Sequence, residues 1–487
     1  MRLLLLFLLT LTAPALRAGE HYYELNPAAE AIYARVMRLE LDGATADLED
    51  FRRRYPTNLA AAHLESYVDF FRLYLSGDED LDEELEARYA ARQAELEKGE
   101  DDDPYFRYAQ AENRLHRSLI LIRFERQLAA FRELNKANKL LRENAKRFPD
   151  FLLTYKDLGL LHAAVGSIPP QYKWGVELFS SLSGSVEEGR REIRRALEAT
   201  DSPFHQEAQV LYAYLELHLA DRPEVAWRSV SKLNFSPGTN PLHCFVLANL
   251  AMHNGLNDRA ITLLEGQPRG GASADFPYLD FMLGLTRLRT LDPSARVYFQ
   301  SFLLRYPGRH FKEEALQKIA WAYLLRGDGD QYLATMRRVS GGSQAGGDEN
   351  ASREAARDRL PNVPLLKARL LFDGNYCARA RKILDAIDPT TLGTQEHLEY
   401  LYRTGRVLDG LEDYPGALSF YQRTVTLGRD NPAYFACRAA LQAGLIEEKR
   451  GNKAAAKAHY STCLDISPEE YRTGLHLLAN AGLNRLK

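Results

Sequence analysis

The stretch that decides the fold runs from residue 437 to residue 468 and has the sequence CRAALQAGLIEEKRGNKAAAKAHYSTCLDISP. Small residues occur at Gly444 and, twelve residues later, at Ala456, where two helices can approach closely. Tyr460 follows four residues further on and can fill the space between neighbouring helix pairs, while Pro468 cannot continue a helix. The stretch therefore predicts two antiparallel helices joined by a short turn.

The same pattern occurs once more, directly upstream. Gly405 and Ala417 are again twelve residues apart, Tyr421 follows Ala417 by four residues, and Pro432 closes the unit. Because the two glycines lie 39 residues apart, the chain contains at least two hairpins in tandem at its C-terminal end. A tandem array is expected, since a single helix hairpin cannot bury its own apolar face.

A second marker recurs in the rest of the chain. Three predicted helices end in Arg, an aromatic residue and Pro, and an alanine stands twelve residues before each proline. The three copies are residues 54–56 with Ala44, residues 147–149 with Ala137, and residues 305–307 with Ala295. This shared offset predicts that more degenerate hairpins continue through most of the chain.

These repeats resemble the tetratricopeptide repeat, strongly over residues 365–486 and more weakly over residues 28–339. The resemblance implies an all-α fold in which antiparallel helix hairpins stack as a right-handed superhelical solenoid. Residues 159–199, with the Pro169-Pro170 step, are similar to the tetratricopeptide repeat protein 39 family. A hairpin with a long proline-rich loop explains that segment equally well.

The N-terminal residues 1–18 have the features of a signal peptide: Arg2, an apolar run, and cleavage sites after Ala15 or Ala18. An uncleaved anchor is the alternative, but the run is well short of the ~20 residues that a membrane-spanning helix needs. The mature chain is therefore expected to be exported, to the periplasm or outside the cell, with no transmembrane segment.

Composition divides the mature chain into three parts. Residues 19–339 form the predicted degenerate helical-repeat lobe, and residues 363–487 form the predicted tetratricopeptide lobe. Between them, residues 340–362 begin with a glycine-rich run that predicts a flexible linker.

Charge and motifs exclude several functions. The chain has 63 basic and 66 acidic residues and a formal net charge of −3, so no global positive field attracts nucleic acid. Catalytic, dinucleotide and phosphate-loop motifs are missing, and the four cysteines show no C-x-x-C spacing, so we predict no catalytic residue, no metal and no cofactor. Cys437 and Cys463 would lie near the same end of one hairpin, which raises the hypothesis of a disulfide.

The tetratricopeptide resemblance also implies a concave groove lined by the first helix of each repeat. The residues that it places toward a partner are Glu399, Tyr402, Arg406, Asp409, Arg438, Leu441, Leu445 and Glu448. Apolar members would seat a peptide and arginines would pair with carboxylates, unless some of them pack against neighbouring repeats instead.

The function predicted from the sequence is a non-catalytic scaffold for protein–protein interaction, with a role in cell-envelope assembly. The three Arg-aromatic-Pro helix ends resemble those of envelope-assembly tetratricopeptide proteins. The partner is expected to be a protein or peptide. A receptor for glycan or lipid and an enzyme with an unrecognised site are the alternatives.

Overall fold

The computed structural model describes residues 21–168, 182–341 and 346–486, and these residues form 24 α-helices. The helices are α1 (Pro27–Val36), α2 (Leu41–Arg54), α3 (Ala60–Ser76), α4 (Glu79–Leu96), α5 (Pro104–Arg123), α6 (Gln127–Arg147), α7 (Thr154–Gly166), α8 (Val186–Ala196), α9 (His205–His218), α10 (Pro223–Val230), α11 (Pro241–His253), α12 (Asn257–Glu265), α13 (Tyr278–Arg289), α14 (Arg296–Arg305), α15 (Lys312–Leu325), α16 (Gly329–Met336), α17 (Gly346–Ala355), α18 (Val363–Asp373), α19 (Cys377–Asp385), α20 (Thr394–Gly410), α21 (Tyr414–Gly428), α22 (Phe435–Lys449), α23 (Lys453–Asp465) and α24 (Arg472–Arg485). Over the same residues, extended pairing is limited to one bridge between Tyr22 and Asn58.

Within the described residues, most successive helices pack against each other as hairpins, and neighbouring hairpins pack on one another. The most extensive contacts join α5 to α6, α7 to α8, α20 to α21 and α22 to α23. The cores between hairpins are apolar and follow one another along the chain. The predicted all-α stack of helix hairpins is confirmed.

The glycines that led to the repeat assignment lie where two helices touch. A Cβ atom added at Gly444 would lie 2.5 Å from the Tyr460 ring, and one added at Gly405 would lie 2.7 Å from the Tyr421 ring. Both tyrosines are fully buried. The close approach of α20 to α21 and of α22 to α23 therefore requires glycine on one helix and places an aromatic ring on the other.

The Arg-aromatic-Pro marker is also a structural feature. Arg54, Arg147 and Arg305 are the last residues of α2, α6 and α14. The alanines that precede each proline by twelve residues are all completely buried, as close helix packing requires.

The predicted linker contains a helix. α17 begins at Gly346 and packs against α15, and one apolar core includes Met336 before the linker and Leu366 and Leu370 after it. The division into two lobes stays a prediction. Cys437 and Cys463 are free thiols in this structure with their Sγ atoms 3.5 Å apart, so the disulfide stays a hypothesis. The predicted signal peptide and the Pro169-Pro170 step lie outside the described residues.

Distant parts of the chain contact each other directly. The Gly308 amide donates to the Ser76 carbonyl at 3.0 Å, and the Arg123 guanidinium donates to the Tyr306 hydroxyl at 2.7 Å. The Ala274 amide donates to the Leu39 carbonyl at 2.6 Å. These hydrogen bonds join the loop before α13 to the loop after α1, and the loop after α14 to the ends of α3 and α5. Among the helices of the described residues, none combines the length and apolar character that crossing a membrane requires.

Candidate functional site

The helices α18, α20 and α22, each the first helix of its hairpin, share a concave surface with a depression of about 150 Å³. We call it the arginine depression. It is lined by Ala368, Arg369, Phe372, Asp373, Tyr402, Arg403, Arg406, Tyr434 and Arg438. Four arginines against a single aspartate make this surface positive, although the whole chain carries a formal charge of −3.

A second depression, of about 180 Å³, continues from the first toward α15 and α17. The two share Arg369, Arg403 and Tyr434 in their linings. The carboxylate of Glu354 lies in this second depression and accepts hydrogen bonds from the Trp321 indole at 2.7 Å and the Tyr332 hydroxyl at 2.9 Å. The two depressions therefore adjoin each other on the surface.

The four arginines of the arginine depression differ in their partners. Arg403 donates to Glu399 at 2.6 Å, and Arg369 lies 3.8 Å from Asp373. Arg406 and Arg438 form no ion pair within 4.0 Å with any described residue. Two guanidinium groups therefore remain available for an external anion.

Packing holds both of these guanidinium groups. The Arg406 group lies over the Phe372 ring, 4.9 Å from its centroid. Burial opposes the charge of Arg406, but the neighbouring Tyr402 and Asp409 help to outweigh it and raise the pKa of Arg406. The Nε of Arg438 is buried and has no hydrogen-bond partner. An anion that reached this nitrogen would satisfy a donor that the protein itself leaves unpaired.

Aromatic rings form one wall of the arginine depression. The Tyr434 ring contacts the Phe435 ring at 4.5 Å and meets the Tyr402 ring edge-on at 6.0 Å between centroids. Burial raises the pKa of Tyr434 to about 12, so its hydroxyl stays protonated and can donate a hydrogen bond at neutral pH. The wall therefore offers apolar area together with a hydroxyl group.

The structure brings together half of the residues predicted from the sequence. Tyr402, Arg406 and Arg438 line the arginine depression, and Glu399 lines the adjoining one. Tyr402 is nevertheless only 5% exposed, so most of its ring packs against neighbouring helices.

The other four predicted residues lie elsewhere. Leu441 is 1% exposed and packs in the core between hairpins, because its helix turns that side toward its neighbours. Asp409 accepts a hydrogen bond from the Tyr421 hydroxyl at 3.3 Å, and Glu448 accepts one from Arg485 at 2.7 Å. Leu445 is 39% exposed but lies outside both depressions.

Sequence reasoning missed Arg369, Phe372, Arg403 and Tyr434. A signal for the first two was present, because Ala368 and Ala380 are twelve residues apart, like Gly444 and Ala456. When the two repeats are aligned on Ala368 and Gly405, Arg369 occupies the same position as Arg406. Tyr434 precedes α22 and has no such signal.

A second group of ionisable side chains is sealed inside the N-terminal half. The Lys156 ammonium group contacts Glu112 at 2.5 Å and Glu207 at 2.7 Å, and His63 Nε2 lies 2.5 Å from Glu112. Burial opposes ionisation of Glu112, but Lys156 and His63 outweigh it and hold the pKa of Glu112 well below its usual value. Because Lys156 and His63 are fully buried, this cluster joins helices to one another and is closed to a substrate.

The hairpin packing defines the class of protein: over its described residues it is an all-α protein built from stacked helix hairpins, and the glycine–tyrosine contacts within its C-terminal hairpins resemble those of the tetratricopeptide repeat. Neither a protein-family model nor a curated protein sequence matches this chain.

Three solved structures align with this chain over most of its length, at low similarity. The TPR domain of P58(IPK) is 13% identical, with 84% of this chain and 95% of that chain covered and a TM-score of 0.22. Yeast Tom70 is 11% identical, with coverages of 94% and 88% and a TM-score of 0.24. The APC/C hetero-tetramer Cut9-Hcn1 is 12% identical, with coverages of 95% and 99% and a TM-score of 0.25. At such scores these overlays carry no argument, and the class rests on the hairpin packing.

Proposed function

We propose that this chain is an exported, non-catalytic scaffold that binds an acidic segment of a partner protein along its concave face. The observation that carries the proposal is the pair Arg406 and Arg438, two guanidinium groups without a carboxylate partner among the described residues. Guanidinium groups bind carboxylates through paired, charge-assisted hydrogen bonds, so acidic side chains or a chain terminus suit this surface best.

The size of the two depressions favours a peptide over a small molecule. Their volumes are about 150 Å³ and about 180 Å³. Sites for drug-sized ligands usually span roughly 300–1,000 Å³ as one cavity. Two small, connected depressions instead suit successive side chains of an extended segment, which supports a protein partner over a glycan or lipid.

A non-catalytic role is supported by the residue types that line the arginine depression. Apart from the arginines, the lining consists of Ala368, Phe372, Asp373, Tyr402 and Tyr434. This set contains no serine, cysteine, histidine or lysine to act as a nucleophile or as a base near neutral pH.

The proposed export is based on the signal-peptide features of residues 1–18. The proposed role in envelope assembly is based on the resemblance of the three Arg-aromatic-Pro helix ends to those of envelope-assembly tetratricopeptide proteins. Both are part of the proposal. An exported solenoid with a positive groove would hold an acidic tail or loop of another envelope protein in place during assembly.

Selection of peptides from a random displayed library tests the proposed ligand class. The bait is the full chain, and the comparison bait carries Arg406→Glu and Arg438→Glu. Arg423→Glu is the matched control, because Arg423 is exposed on α21, the second helix of its hairpin. We expect peptides rich in Asp and Glu to be enriched on the wild type and the control, and at least tenfold less on the double variant. Enrichment of neutral or basic peptides would contradict the proposal.

A further inference from the structure

Three potential metal ligands converge between α7 and α8, far from the arginine depression in sequence. His162 Nδ1 lies 2.7 Å from a carboxylate oxygen of Glu192 and 3.8 Å from one of Glu188. One ligand atom from each of the three residues lies within 4.8 Å of the other two. The cluster is thus small enough for one ion to touch all three side chains.

Helix packing fixes these residues in place. A Cβ atom added at Gly159 would lie 2.7 Å from the Gly189 carbonyl oxygen, so α7 and α8 cross with their backbones in contact. Gly184 packs equally closely, because an added Cβ atom would lie 2.6 Å from the Cα of His162. Glu188 and Glu192 are four residues apart and share one face of α8, the face that meets His162.

Three of the four arginines of α8 bind groups outside this cluster. Arg190 pairs with Glu216 at 2.7 Å, Arg194 donates to the Tyr212 hydroxyl at 3.0 Å, and Arg195 donates to the Pro149 carbonyl at 2.6 Å. Within the described residues, Glu188 and Glu192 each have His162 as their one basic neighbour within 4.0 Å. Among the described side chains, two carboxylates therefore face one imidazole nitrogen.

We propose that His162, Glu188 and Glu192 bind a divalent first-row transition metal ion, with zinc as the representative case. Zinc binds histidine nitrogen and carboxylate oxygen at about 2.0–2.2 Å, which separates neighbouring ligand atoms by roughly 3.3 Å in a tetrahedral site. The observed separations of 2.7 Å and 3.8 Å bracket that value, so small side-chain rotations suffice. The imidazole ligand favours a transition metal over calcium or magnesium, which prefer oxygen.

Exposure indicates where solvent reaches the ion. The side chains of His162 and Glu192 are 9% and 18% exposed, whereas that of Glu188 is 44% exposed. Water therefore occupies the remaining coordination position on the Glu188 side. Because the ligands come from two helices, the ion holds α7 against α8 and stabilises the folded chain.

Calorimetric titration of the metal-free full chain with Zn²⁺ tests this site. We expect one tight site per chain and a rise in melting temperature on zinc addition. His162→Asn and Glu192→Gln each weaken binding at least tenfold and abolish that rise. His253→Asn is the matched control: His253 is exposed on α11, and among the described residues its ring has one hydrogen-bond partner, the Asn249 carbonyl.

Glu188→Gln keeps the test informative if the variants of the more buried ligands fold poorly, because this side chain is half exposed. It is expected to retain the fold and to weaken zinc binding. The proposal is overturned if the wild type binds no zinc, if it prefers Ca²⁺ to Zn²⁺, or if Glu188→Gln binds zinc as tightly as the wild type. In those cases His162 and the two carboxylates form an ion pair and hydrogen bond only.

Discussion

At the scale of single residues, Arg406 and Arg438 are side chains of the arginine depression that have no carboxylate partner among the described residues. A buried donor without a hydrogen bond costs roughly 1–3 kcal/mol, and the Nε of Arg438 is such a donor. Most arginines of this chain have a carboxylate nearby, for example Arg52 with Glu65 and Glu95. A carboxylate that binds Arg438 would give this donor a hydrogen-bond partner and remove the cost. Removing the cost favours the bound state, so it contributes to the affinity for the ligand.

Another residue-scale feature is His116, which is partly buried beside Ser66 with its Nδ1 2.9 Å from the serine oxygen. Burial lowers the pKa of His116 to about 3. In the unfolded chain the ring takes up a proton below about pH 6.5, whereas in the folded chain it stays neutral until about pH 3. Stability from this residue is therefore complete above about pH 6.5 and is lost as the pH falls toward 3.

We expect His116→Asn to lose less stability than the wild type on acidification. Between about pH 7 and about pH 5, His116 contributes roughly 2 kcal/mol to the fall in the free energy of unfolding. Urea unfolding of both proteins at the two pH values measures this difference. Equal losses in the wild type and the variant would show that His116 is protonated in the folded state.

At the scale of elements, the contact between a glycine and a tyrosine ring defines each C-terminal hairpin. Gly444→Ala places a methyl group against the buried Tyr460 ring, so we expect a loss of about 1–3 kcal/mol in the free energy of unfolding. Gly474→Ala is the control, because a Cβ atom at Gly474 meets nothing within 4 Å. Urea unfolding checks both variants. A Gly444→Ala protein as stable as the wild type would contradict the close helix contact.

The hairpins were predictable from the sequence because their determinants are local. Gly444, Ala456 and Tyr460 lie within one hairpin, and their spacing alone fixes which faces meet. α17 was not predictable in this way. Asp348 on α17 accepts hydrogen bonds from the amides of Phe311 and Glu314 at the start of α15, a contact between distant residues that glycine-rich composition conceals.

The candidate site was predictable in part for the same reason. Arg406 and Arg438 follow from their register in two well-matched repeats. Leu441 has an equally regular position but is buried, because the direction of its side chain depends on how the next hairpin packs. Arg403 and Tyr434 enter the site through the superhelical arrangement of α20 and α22, which no single repeat specifies.

At the scale of the whole molecule, the stack is held by contacts between residues far apart in sequence. Tyr306 accepts a hydrogen bond from Arg123, 183 residues earlier, and lies against Gly77 at the end of α3. Gly77 has a φ of +61°, which suits glycine, and has no side chain to block the ring. A local sequence pattern contains none of this information.

We expect Tyr306→Ala to loosen this contact without unfolding the hairpins. The Gly308 amide, which donates to the Ser76 carbonyl, should exchange its hydrogen at least about tenfold faster, the factor that corresponds to losing one hydrogen bond. Leu304→Ala is the control, since Leu304 is 87% exposed. Hydrogen exchange followed by mass spectrometry measures both. Unchanged exchange at Gly308 in Tyr306→Ala would show that other contacts hold the two parts together.

The most direct measurement of the proposed function is a charge-reversal experiment on the arginine depression. An acidic peptide selected on the wild type, and the same peptide with each acidic residue replaced by lysine, are titrated against the wild type and the Arg406→Glu/Arg438→Glu variant. We predict that the acidic peptide binds the wild type at least tenfold more tightly than the variant, and that the lysine peptide shows the opposite preference. If both peptides lose affinity equally in the variant, or if neither does, the arginine depression is not the site that binds the partner.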